Sequence, residues 1–370
     1  MTRRDWLASA LALFPSACAR AKRTGYSGYA LIATSGENSL AVVDLITFRL
    51  LKNIHLGAAP TAVITSVAGE SYVLTPSSDS VHVIDRNLSL TSSHRLGEGI
   101  VEIRLSPDGS TLLASARRSR ELIQVDTRTF KVVRRAKLEA EPVSFDLSQT
   151  GYAALSTGDH GTVELVQLSN GRQSRITVGG TVGRVRFRGD GQILLVARPE
   201  ERSIRGIDVA TQQVVAELPV AMEPDNLCFT FDQGQLFVTG KGMDGVAIVF
   251  PYNTMEVEQT ILAGRHPGIM AASGPDPAYL FVASASGSDV SVLNVETRKL
   301  IGVVDVGGQT EFITITPDNR FALALNQTSG SMAVIHIPNI RMTRAKNGAS
   351  LFTLVDVGAK PVHAAIVARA

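Results

Sequence analysis

Cysteine is nearly missing from this chain: Cys18 and Cys228 are the two among 370 residues. So few thiols cannot form a disulfide framework or a zinc site built on a Cys pair, and no C-x-x-C-H is present for covalent c-type haem. Tryptophan occurs once, as Trp6, and aromatic residues make up only 5%. The sequence has no G-x-S-x-G elbow, no phosphate-binding P-loop and no H-E-x-x-H, so these sequence-local enzyme signatures are excluded. Nor is there an excess of charge of one sign: 36 basic side chains face 34 acidic ones. Arg3, Arg4, Arg20 and Asp5 fall in the first 21 residues, which leaves a neutral body with no bulk attraction for nucleic acid or anionic lipid.

The start of the chain differs from the rest. TRRDWLASALALFPSACARA has a short basic region, an apolar run from Trp6 to Phe14 and then small residues, the pattern of a secretory signal over residues 1–21. That run is too short for about 30 Å of hydrocarbon, which needs roughly 20 residues, so no transmembrane segment is expected. Arg3-Arg4 ahead of Trp6-Leu7 resembles the twin-arginine motif, which implies export to the periplasm or cell surface in a folded state. Ala19-Arg20-Ala21 offers a cleavage site. Ser16-Ala17-Cys18 resembles a lipoprotein box that would make Cys18 a lipid anchor, but Pro15 stands where that pattern has Leu. Either way Cys228 is left without an intrachain partner.

After a linker over residues 22–28, one unit recurs to the end of the chain. Asp44, Asp85, Asp126, Gln167, Asp208, Phe250, Asn294 and His336 each close an apolar strand, at intervals of 41 to 44 residues. In the third unit the strands read Ile100 to Leu105, Thr111 to Ala114, Leu122 to Asp126 and Lys131 to Leu138, with no helical pattern between them. Four antiparallel strands per period of this length make a propeller blade; β-solenoid coils are shorter and parallel. Ser106-Pro107-Asp108-Gly109 and Thr316-Pro317-Asp318-Asn319 are tight-turn sequences. Asp44 with Thr47, Asp126 with Thr129, Asp208 with Thr211 and Asn294 with Thr297 place a side-chain acceptor where it bonds hairpin amides. The chain enters at Tyr29 on a second strand and ends on a first strand, Val362 to Val367. Pairing the two closes the ring and removes two sheet edges. The expectation is an all-β, single-domain, eight-bladed propeller over residues 29–370, with a seven-bladed ring and one displaced repeat as the alternative.

SGYALIATSGENSLAVVDLITFRLLKNIHLGAAP and YLFVASASGSDVSVLNVETRKLIGVVDVGG resemble the YVTN repeat family of β-propellers, whose unit runs tyrosine, apolar strand, Gly/Ser/Asn turn, V-x-V-I-D and a strand ending in V-G-x-x-P. The resemblance covers nearly all of residues 28–368, loosest over 143–220, where Gln167 replaces the strand-end acid. It implies an exported or surface protein without assigned chemistry. The tryptophan-free body departs from WD40 and kelch repeats and from the tryptophan-docked quinoprotein dehydrogenases.

In a propeller the innermost strand of each blade lines the axial channel, and side chains alternate along it. If Val63, Ile103, Phe145, Val185, Leu227, Met270, Ile313 and Ala364 pack between blades, the channel receives Ala62, Glu102, Ser144, Arg184, Asn226, Ile269, Phe312 and His363. One step deeper come Ile64, Arg104, Asp146, Arg186, Cys228, Ala271, Thr314 and Ala365. Charge gathers on three consecutive blades: Glu102 and Arg104, Asp146, then Arg184 and Arg186, with Arg188 near the following turn. Four arginines against two acids suggest either a water-filled channel with internal ion pairs or a site for an anion held by guanidinium forks. His363 is the candidate axial ligand for a tetrapyrrole, His266 lies near another blade entrance, and His160 reads as a turn residue. The insertion IPNIRMTRAKNGAS carries Arg341, Arg344 and Lys346 without an acid, a solvated loop or a contact for an acidic surface.

The functional expectation is a binding or interaction module that holds a small anionic ligand or a protein partner at the channel mouth through Glu102, Arg104, Asp146, Arg184 and Arg186. No cofactor or metal is expected in that reading, and catalysis is not. One alternative is a haem-type redox or cofactor-handling protein using His363, by architecture similar to the eight-bladed domains of respiratory nitrite reductases. Another is a lactone hydrolase, whose acids would be scattered along the chain.

Overall fold

A computed structural model describes residues 25–252, 255–343 and 346–369. The leader over residues 1–21, with Cys18 and its two processing options, lies outside the described residues. Among the described residues no helix is long and apolar enough to cross a membrane.

Strands dominate because the apolar residues come in short runs separated by turn formers. Eight antiparallel sheets of four strands result, and the seven-bladed alternative is set aside. In the third blade the strands are Ile100–Leu105, Thr111–Ala116, Glu121–Asp126 and Val132–Lys137, each within two residues of the bounds expected from sequence. The first blade is closed across the chain ends: Pro361–Ala368 pairs antiparallel with Gly28–Thr34, Leu31 opposite Ala365 and Tyr29 opposite Val367. Gly28–Thr34 is buried on both faces, so this closing pairing lies in the blade's core.

Each sheet is apolar on both faces in its two middle strands, so neither face can rest in water. The burial goes between blades. Phe281, Val292 and Ile301 of the seventh blade pack with Ile313, Ala324 and Ile335 of the eighth; Phe321, Leu323 and Val334 on the eighth blade's other face pack with Ala30, Ile32 and Val43 of the first. Outer strands are exposed, as Arg49–His55 shows.

The turns hold as the sequence suggests. Asp126 Oδ1 accepts from the Thr129 amide at 2.8 Å, Asp208 Oδ1 from Thr211 at 2.7 Å and Asn294 Oδ1 from Thr297 at 2.6 Å. The first blade differs: Asp44 Oδ1 accepts from the Ile46 amide at 2.7 Å, and its other oxygen lies 3.6 Å from Arg369. Gly109 and Asn319 close their turns at φ of 70° and 56°, a left-handed conformation that glycine and asparagine tolerate best. The insertion in the last repeat forms a small hairpin, Arg341–Thr343 with Lys346–Gly348, whose basic side chains lie outside the described residues.

Candidate functional site: the axial channel

The eight inner strands converge on the axis, and their alternation is the expected one. Val63, Ile103, Phe145, Val185, Leu227, Met270, Ile313 and Ala364 are all buried between blades. The residues on either side of each are more exposed, with Asp146 the exception at 6%. This follows from the period of two in an extended strand.

The charged residues form one network. Arg104 reaches Glu102 Oε1 at 2.8 Å and Asp146 Oδ1 at 3.5 Å, and its Nε donates to the Phe145 carbonyl at 3.0 Å. Arg186 lies 3.2 Å from the same Asp146 oxygen, while Asp146 Oδ2 accepts from the Phe187 amide at 2.8 Å. Asp146 is therefore the buried hinge of the wall, saturated from three sides across the third, fourth and fifth blades. Arg184 is different: it is exposed to the channel, its Nε donates to the Asp225 carbonyl at 3.2 Å, and among the described residues no carboxylate lies within ion-pair distance of it.

Arg188 changes the charge count. Its guanidinium grips Asp190 through Nε at 3.0 Å and Nη2 at 2.7 Å, donates to the Pro251 carbonyl at 3.0 Å and stacks 4.6 Å from the Tyr252 ring centre. Burial pushes the Asp190 carboxyl up, but the Arg188 hydrogen bonds and the Gln192 amide outweigh it and hold the group below its ordinary range. The expected surplus of two positive charges is thus reduced to one, because Arg188 is already neutralised.

A cavity of about 470 Å³ opens along this wall. Arg184, Arg186 and Asp146 line one side; Asn226, Cys228, Phe229, Ile269, Met270 and Ala272 line the other. Burial raises the Cys228 thiol to about 11, against a smaller downward pull from Arg186, so at neutral pH it is a neutral, weakly polar wall group. The inner-strand alternation already places Asn226, Cys228 and Ile269 at the channel; Phe229, Met270 and Ala272 lie off that row and join the lining only through the fold.

His363 sits at the channel level of Phe312, ring centres 4.1 Å apart, with the Val63 amide 3.5 Å from Nδ1. Burial, and then the positive charge of Arg104, pull its pKa down to about 4, so the ring is neutral at pH 7. It is not among the residues lining the 470 Å³ cavity. His266 is exposed at φ 47°, bonded by its amide to Asp244 at 2.8 Å and by Nδ1 to Ser286 at 2.9 Å, and His160 closes an exposed turn. Among the described residues no group of three or more His, Cys, Asp or Glu side chains is placed to hold a metal ion.

No protein-family profile matches the sequence. A seven-bladed β-propeller protein of Mycobacterium tuberculosis is 26% identical over 137 residues, 35% of this chain and 33% of that protein, so the match spans about a third of the relative's length. Among solved structures, the dihydro-heme d1 dehydrogenase NirN in complex with DHE superposes with a TM-score of 0.77 at 15% identity, covering 92% of this chain and 75% of its own. A functionally unknown protein from Desulfotomaculum acetoxidans gives 0.64 at 12% identity, covering 92% and 99%. At such identities these likenesses describe a shared propeller fold.

Proposed function

We propose that this chain is an exported propeller that binds a small anion in its axial channel, with Arg184 as the principal contact and Arg186, held by Asp146, as the second. The observation that carries the reading is the Arg184 guanidinium, which faces a cavity of about 470 Å³ and has no carboxylate partner among the described residues. A guanidinium fork presents parallel N–H donors that match a carboxylate or phosphate edge. Glu102 and Arg104 keep the Asp146 hinge in place. Export rests on the residue 1–21 leader with its Arg3-Arg4 pair, and the similarity to YVTN repeats agrees with it; cleavage after Ala21 and lipidation of Cys18 are the two endings of that leader.

The test is thermal denaturation of the purified chain against a panel of small carboxylates and phosphates. The wild type is expected to gain several degrees at saturating ligand, since binding to the folded state stabilises by mass action. Arg184→Ala combined with Arg186→Ala should lose that gain while keeping the blade fold. An unchanged gain in the double variant would sink the reading.

A haem-type reading draws on the NirN likeness and on a His363 ring that is neutral at pH 7, as a metal ligand must be. It fits less well: the Val63 amide addresses Nδ1, Phe312 covers the ring, and the cavity lies along other blades. An absorption band beyond 300 nm with matching extra mass in the exported protein would put it ahead. The lactone hydrolase reading has no grouping of metal-binding side chains among the described residues to support it.

A further inference from the structure

The channel lining is segregated. The arginines of the channel gather on the third and fifth blades, as Arg104, Arg184 and Arg186, whereas the seventh blade's inner strand carries Ile269, Met270 and Ala272 toward the cavity. A merely hydrated channel gains nothing from such an arrangement, because water on an apolar wall forgoes hydrogen bonds. The cavity crosses the boundary, with Arg184 and Arg186 on one side and Ile269, Met270 and Ala272 on the other.

Two quantities narrow the occupant. Among the charged residues that line the cavity, Arg184 and Arg186 oppose Asp146, and Arg188 is matched by Asp190, so the lining carries a net single positive charge. One charge is neutralised by a monoanion; a phosphate near two negative charges would leave an excess beside Asp146. The cavity's 470 Å³ corresponds to roughly 15 water-sized volumes, more than an acetate-sized anion fills.

Resting on the anion-binding reading above, we propose that the ligand is an amphiphilic monocarboxylate: its head is gripped by Arg184 and Arg186, and its apolar body lies against Ile269, Met270 and Ala272. Each methylene placed on that wall contributes about 0.8 kcal/mol when fully buried, a factor of about four in affinity.

Titration calorimetry at pH 7 with acetate, octanoate, octylamine and inorganic phosphate tests this on the unmodified chain. Octanoate should bind at least tenfold more tightly than acetate or phosphate, and octylamine should not bind. Ile269→Asn should narrow the octanoate-to-acetate affinity ratio about tenfold, with the circular dichroism spectrum confirming the fold. Equal affinity for acetate and octanoate, or tighter phosphate, overturns the amphiphile and leaves the anion site standing. Octylamine binding as tightly as octanoate overturns the head-group assignment. Silence from all three anions defeats both readings.

Discussion

His363 shows how a single ring can register closure of the whole channel. It is the inner-strand residue of the last stretch of chain, yet its environment comes from Phe312 of the eighth blade, Val63 of the second and the Arg104 charge of the third. Its pKa is lowered to about 4 from 6.5, so protonation favours the unfolded chain. The stability this ring contributes is complete above pH 6.5, declines as the pH falls and is lost below about 4. That displacement corresponds to about 3 kcal/mol. His363→Gln removes the titration. Urea unfolding of both proteins between pH 7.5 and 4 should therefore give curves that converge as the solution is acidified. A wild-type to variant difference independent of pH would mean that His363 titrates normally. His82 is also held low by burial and is common to both proteins, so it cancels in the comparison.

At the scale of turns and strands, the sequence was most readable where a short-range rule repeats. The acceptor that ends the third strand is one such case. Asn294 in the seventh blade accepts from the Thr297 amide at 2.6 Å and hydroxyl at 2.8 Å. Asn294→Ala should cost about 1 kcal/mol by loss of these bonds, whereas Asn294→Asp, the residue other blades use, should be near neutral; chemical denaturation measures both. The inner-strand alternation was legible for the same reason, since a period of two needs no tertiary information. The turn after the inner strand was only half read. Ser106 donates to Asp108 at 2.5 Å, and Thr230 and Thr316 donate to Asp232 and Asp318 at 2.6 Å. In the fifth blade Arg188 occupies the hydroxyl position and grips Asp190 instead. Arg188-x-Asp190 aligns in sequence with Ser106-x-Asp108 and Thr316-x-Asp318, and that register marks the pair. The cavity and the carbonyl that orients Arg184 were beyond such rules, because they depend on which blades meet across the axis.

The ring as a whole stands on one non-local pairing. Every other blade is built from strands consecutive in sequence apart from the small inserted hairpin, but the first takes its inner strand, Pro361–Ala368, from the far end of the chain. That strand also fills the interface to the second blade: Val367 and Ala365 pack with Leu31, Val42 and Val73. Removing residues 361–370 would therefore uncover the inner edge of Gly28–Thr34 and the apolar faces of two neighbouring blades at once. Such an edge is a template for pairing with another chain. The truncated protein is expected to form larger soluble oligomers or aggregates than the intact chain, seen by size-exclusion chromatography with light scattering. Adding a synthetic peptide of residues 359–370 in trans should restore the smaller species, because the register Leu31 opposite Ala365 is set by side chains the peptide still carries. A truncated chain that stays in its original association state and melts at the same temperature would show that blade-to-blade packing, rather than the closing strand, holds the ring. The same truncation removes His363 from the channel but leaves the arginine wall of the third to fifth blades intact in sequence. Loss of anion binding on truncation and its recovery with the peptide would show that the wall works only inside a closed ring.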